Sequence, residues 1–176
     1  MSQSTTLYEI NISDFIRIER DPSLFKPDIS KSYEIFEKNF SGIEFILKKT
    51  IDKNMTEKID EIFSPKQYLG EPVNYENIDF TQIDFSEIED NSINYLNLEV
   101  IKDINTVLNS IPTHKFIDKY NSTELNKNAI YPEVWNDAES DEQAFNKKHI
   151  AEGIEQLKSI LTRAEKNENY IFIFSG

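Results

Sequence analysis

The run Asn169-Tyr170-Ile171-Phe172-Ile173-Phe174 constrains the fold more than any other segment of the chain. Five consecutive side chains are apolar, so a strand made from them is apolar on both faces. Such a strand belongs in the middle of a sheet, with a packed layer on each side. The segment before it, Ser140-Asp141-Glu142-Gln143 onward, opens in the manner of a capping box, with acids in the first turn where a helix dipole favours them. Ala144, Phe145, Ile150 or Ala151, Ile154, Leu157, Leu161 and Ala164 then recur at helical spacing, which predicts the longest helix of the chain, from Ser140 to about Asn167.

Other elements follow from pattern and punctuation. Leu7-Tyr8-Glu9-Ile10 and Ile93-Asn94-Tyr95-Leu96 read as strands, and Ser13 or Asp14 caps a short helix carrying Phe15, Ile16 and Ile18. Pro22 and Pro27 bracket a loop with Leu24-Phe25 as its apolar anchor. Tyr33, Phe36, Phe40, Ile43 and Leu47 predict a helix from Ser30 or Ser32 to about Lys49, followed by a shorter one over Thr56 to Phe63. Asn97 caps a helix through Leu108, and Thr113 and Asn121 each start a short helical turn. The expected architecture is α+β, a single domain over residues 1–176 in which helices pack a small mixed sheet.

Composition supports a packed domain: 38% of the residues are hydrophobic and 12% aromatic, enough to fill a core despite a formal charge of -13. That charge argues against nucleic acid and anionic membranes as partners, and it fits a basic protein. An acidic surface that serves solubility alone remains the alternative. The absence of cysteine excludes thiolate metal sites and disulfides. Met1 to Thr6 has no basic or apolar targeting pattern, and no apolar run reaches the ~20 residues of a membrane span. A cytoplasmic protein is expected.

Residues 67 to 101 contain no Lys or Arg and eight acids, Glu71, Glu76, Asp79, Asp84, Glu87, Glu89, Asp90 and Glu99. Within them Ile78-Asp79-Phe80 is echoed by Ile83-Asp84-Phe85, and the stretch at about 67–92 reads as an acidic irregular insertion. Asp79, Phe80, Asp84, Phe85, Glu87 and Glu89 are the candidate interface, carboxylates to steer a basic partner and rings to hold it. The competing reading has the rings pinning a loop to its own core while the acids stay solvated.

A second candidate lies between Phe116 and Trp135, where two helical turns run into a hinge ending in the single tryptophan. Tyr120, Tyr131, Glu133 and Trp135 are the candidate binding residues there, as an aromatic pocket floor with polar handles. They serve equally as a wedge between helices, with a trans Tyr131-Pro132 bond setting the turn. No catalytic residues, metal ligands or cofactor motif emerge. His114 and His149 lack companion ligands, no glycine-rich phosphate loop or nucleophile elbow is present, and Asp137 to Asp141 lacks the later positions of a calcium loop.

Several of these pieces together resemble the bacterial YfbM-like family, also called DUF1877. The likeness is carried by Leu7-Tyr8-Glu9-Ile10, Phe40 to Leu47, Tyr95-Leu96 with its helix, and Tyr120 to Trp135, most specifically Leu125-Asn126-Lys127-Asn128-Ala129-Ile130-Tyr131-Pro132. It covers most of the chain and is poor over Asn54 to Ser92. Members often carry Trp and His where this chain has Phe40 and Glu44, and a Gly-rich approach to the middle strand that is absent here. Any chemistry a relative performs with that His is closed to this chain. The resemblance implies an α+β fold without an assigned activity. Function therefore rests on the residues: a non-enzymatic interaction module for a basic partner, of the kind immunity proteins provide, or a small-molecule binder or enzyme using a pocket near Tyr131 to Trp135.

Overall fold

The computed structural model describes residues 4–72, 92–140 and 143–176. Its centre is β5 (Tyr170–Ser175), which pairs on one side with β1 (Ser4–Ile10) and on the other with β4 (Ile93–Leu96). Strands β2 (Ser32–Glu37) and β3 (Gln67–Leu69) complete a sheet of order β2-β1-β5-β4-β3. The apolar run at the end of the chain thus takes the central place its pattern demands. Ile171 and Ile173 point to one face and Phe172 to the other, and all three are buried. Each fully buried side chain of this size contributes roughly 1.5–3 kcal/mol. The α+β class is as expected, but each pairing is antiparallel rather than mixed.

One face of the sheet carries the longer helices: α2 (Phe40–Thr50), α3 (Lys53–Phe63), α4 (Leu98–Asn109) and α7 (Lys147–Lys166). Between them lie the short α5 (Thr113–Ile117) and α6 (Ser122–Lys127). The 20 residues of α7 extend roughly 30 Å, and its stripe Ile150, Ile154, Leu157, Leu161 and Ala164 is wholly buried. The opposite face is covered by α1 (Ile12–Arg20) and two single 3-10 turns, Pro22–Leu24 and Pro27–Ile29. The Phe15 ring stacks on Tyr170 at 3.9 Å, and the loop anchor Phe25 stacks on Phe174 at 4.9 Å.

Several sequence expectations are corrected. Ser32 to Glu37 is a strand, not the start of a helix. Its pairing along β1 satisfies the backbone rung by rung, and Lys38, at φ 59°, breaks the chain before α2 begins at Phe40. Tyr33 and Phe36 mimicked a helical stripe because a strand followed by a turn can also return apolar residues at that spacing. Helix α7 begins at Lys147 rather than Ser140. Asn146, buried, accepts from the His149 N–H and donates through Nδ2 to the Ser140 and Gln143 carbonyls, while Phe145 sits at φ 60°. One amide therefore closes both the loop and the helix end. Helix α1 is capped by Asn11, not Ser13 or Asp14. Gln67 to Leu69, expected within the irregular insertion, pairs with β4 as an edge strand. The Tyr131-Pro132 peptide is cis, not trans.

A buried carboxylate ties the sheet to α7. Glu9, 1% exposed, faces the helix layer beside Leu7. Asn167 and Asn169 donate to its Oε1 at 2.9 and 2.8 Å, and Arg163 Nε and Ser32 Oγ donate to Oε2. Burial pushes this carboxyl up, but the bonds from Asn167, Ser32, Asn169 and Arg163 outweigh it and hold the pKa below the ordinary carboxylate value.

Candidate functional site

The hinge after α6 is built by its own side chains. Asn121 caps α6 by accepting from the Glu124 N–H at 2.9 Å, as the sequence predicts. At the other end Ala129 turns left-handed, φ 52°, and the Ile130 N–H returns to the Leu125 carbonyl. Asn126 then clamps Trp135: its Nδ2 donates to the Trp135 carbonyl at 2.8 Å and its Oδ1 accepts from the Trp135 N–H at 3.0 Å. The indole Nε1 donates to the Ile130 carbonyl at 2.8 Å. Trp135 is only 4% exposed, and its ring lies so close to α2 that a Cβ on Gly42 would fall 2.3 Å from Cη2. Glycine at that place lets the indole reach the core.

Tyr120 is anchored in the same node. Its hydroxyl donates to the Asn136 carbonyl at 2.6 Å, with the Phe145 carbonyl at 3.2 Å. Burial, with the Asp137 charge adding to it, pushes the phenol up to about 12 against the opposing Asn136 bond. Among the four hinge candidates, then, Trp135 and Tyr120 hold the hinge together from within. Glu133 is exposed at φ 63°, and beside it Val134 is 56% exposed.

Tyr131 has a different setting. It stands between two depressions that share Ser41 and Glu44 of α2. The first, about 460 Å3, is also lined by Lys38, Phe40 and Phe63, with the ends of β1 and β5 as its far wall. The second, about 630 Å3, runs along α2 past Phe45, Lys48 and Lys49 to Glu124 and Ile130. Its charges are matched within the chain: Lys48 Nζ lies 2.6 Å from both Glu44 Oε1 and Asp60 Oδ1, and Lys49 pairs with Glu124. Ala129 and Glu133, both left-handed without being glycine, flank the segment that presents Tyr131. Each such conformation costs of order 1 kcal/mol, compensated by the clamp behind it. Phe40 and Glu44 both line the first depression.

The histidines are structural or peripheral. His149 Nδ1 accepts from the Phe145 N–H at 3.1 Å, and His114 is exposed on α5. Among the described residues no group of three or more His, Cys, Asp or Glu could hold a metal ion, and no helix is long and apolar enough to cross a membrane. The acidic candidates Asp79, Phe80, Asp84, Phe85, Glu87 and Glu89 lie outside the described residues. The Asn126 clamp was missed in the sequence, although it sits in the stretch that carries the family likeness. Glu9 left a signal too, a carboxylate at a core-facing strand position.

Comparison with known proteins agrees with this geometry. A family model described as a domain of unknown function, DUF1877, matches residues 1–174. No curated protein matches the chain. Among solved structures, the crystal structure of a protein of unknown function, YfbM from Escherichia coli, is similar over 100% of both chains. Its TM-score is 0.63 at 16% sequence identity, a likeness of fold.

Proposed function

The chain belongs to the DUF1877 family, and from that premise we propose that it is a non-enzymatic interaction module of the bacterial cytoplasm that binds a basic protein, as immunity proteins do. The observation that carries this reading is the stretch 67–101, with eight carboxylates and no cation. Its two ends support the reading: the chain leaves the sheet after Leu69, at the end of edge strand β3, and re-enters at Ile93 in β4, which pairs with it. The carboxylates steer a basic surface over about a Debye length, and Phe80 and Phe85 supply the apolar hold. The test is a tagged chain and the native protein that co-purifies with it. Replacing Asp79, Asp84, Glu87 and Glu89 by their amides slows association and flattens its salt dependence, while the melting temperature stays put. Association that is unchanged in rate and salt response overturns the proposal.

A second reading, a small-molecule site, is favoured by one observation: the strained segment from Ala129 to Glu133 sets Tyr131 between two depressions. On that reading some member of a metabolite panel raises the melting temperature of the native chain, and Tyr131→Ala abolishes the rise. A panel with no such member removes this reading.

A further inference from the structure

Strand β2 is one edge of the sheet, and its outward residues are apolar. Tyr33 is 56% and Ile35 46% exposed, on the face that α1 and the 3-10 turns cover elsewhere. Phe15 of α1 reaches Tyr95, Tyr170 and Phe172, and Phe25 reaches Tyr8, Phe172 and Phe174. Of the rings on this face, Tyr8 meets Tyr33, at 5.8 Å. The two sheet edges also differ. Edge strand β3 has three residues, too few to template another strand, whereas β2 has six.

We infer that β2 is a self-association edge, where a second copy of this chain adds its own β2 antiparallel to form one sheet across a two-fold axis. The sequence of the edge names the occupant. An antiparallel pairing centred on Glu34 sets Tyr33 opposite Ile35 of the partner copy, twice, and Lys31 opposite Glu37, twice. Lys31, Tyr33, Ile35 and Glu37 are all exposed and alternate along the chain, so they share the outer face. Each apolar residue meets an apolar one and each charge its opposite. The two Glu34 residues meet at the axis on the inner face, each with Arg163 Nη2 of its own chain 3.6 Å away. That Nη2 is buried and has no hydrogen-bond acceptor. Locally Lys31 and Lys38 balance Glu34 and Glu37, so this edge, unlike residues 67–101, has no net charge with which to select a basic partner. Self-complementarity is what it offers. An edge this short gives a weak dimer, populated at about 100 µM protein.

The test is sedimentation of the full chain over a range of concentrations. Dimer is expected in the native chain, and Ile35→Lys abolishes it. Lys31→Glu sets like charges across the axis, as does Glu37→Lys, so each weakens association by about tenfold, whereas the double variant restores opposite pairs and returns it to within about threefold of native. Both sites are exposed, so the charge-swapped chains remain folded even if Ile35→Lys does not; melting temperatures check this. A native chain that stays monomeric to about 1 mM, or a dimer indifferent to the single charge reversals, overturns the inference.

Discussion

The two faces of the sheet reach burial by different means. On the helix face, α2, α4 and α7 bring mainly aliphatic side chains onto Leu7, Phe36, Leu96, Ile171 and Ile173, and Trp135 closes one flank. On the other face one nine-residue helix and two turns must cover the remaining strand surface, and they do it with rings. Phe15 and Phe25 meet Tyr8, Tyr95, Tyr170, Phe172 and Phe174 at stacked or edge-on distances. A ring buries 150–250 Å2 on a single backbone attachment, so a thin layer suits aromatic residues and a thick one suits interdigitating Leu and Ile. The cost of thinness is coverage. Among the described residues, α1 and the 3-10 turns leave Tyr33 and Ile35 of β2 exposed.

If the thick face dominates stability, its variants should cost most. Trp135→Ala removes a ring that is almost wholly buried and the indole hydrogen bond to the Ile130 carbonyl, and is expected to cost about 3–5 kcal/mol in urea unfolding. A loss under ~1 kcal/mol would take Trp135 out of the core and reverse the ranking of the faces.

Glu9→Gln comes next, at about 2–3 kcal/mol, because the amide turns one acceptor into a donor facing Arg163 or the two asparagines. Its pH signature is specific. The folded pKa of Glu9 lies below the ordinary value, so its contribution is fully present above the unfolded carboxylate pKa and is lost as pH falls through the folded one. Melting temperature measured from pH 6 down to pH 3 should fall less steeply in Glu9→Gln than in the native chain. Parallel curves would mean that the carboxylate is not held by its four donors.

Gly42→Ala should cost about 2 kcal/mol by driving its Cβ into the Trp135 ring. In the double variant with Trp135→Ala the Gly42 penalty should largely vanish, and strict additivity in a double-mutant cycle would sever the two. The smallest effect is expected on the thin face. Phe25 is half-buried, so Phe25→Ala should cost about 1–2 kcal/mol by the same unfolding measurement. A loss equal to that of Trp135→Ala would make the two layers equivalent and end the distinction.

The sequence by itself determined the centre of the molecule. Consecutive apolar residues from Tyr170 to Phe174 dictate a strand covered on both faces, and the stripe from Ile150 to Ala164 dictates a helix to cover one of them. The Asn121 cap of α6 was equally legible, because donor and acceptor are three residues apart. Burial and period are local properties, written in the order of side chains. Tertiary structure decided the rest. Ser32 to Glu37 has the residues for either helix or strand, and β1 settled it by offering a ladder of backbone partners. Ser140 and Asn146 both make good caps, and Asn146 won because it also satisfies two loop carbonyls. Tyr120, Tyr131 and Trp135 look alike as hinge aromatics. Their division into two anchors and one groove residue depends on Asn126, Gly42 and the carbonyl of Asn136, none of which a pattern of apolar residues can show. Glu9 is the sharpest case, since its donors Arg163, Asn167 and Asn169 come from the far end of the chain. A buried charge is tolerated only where folding assembles its partners, and those partners are long-range by nature.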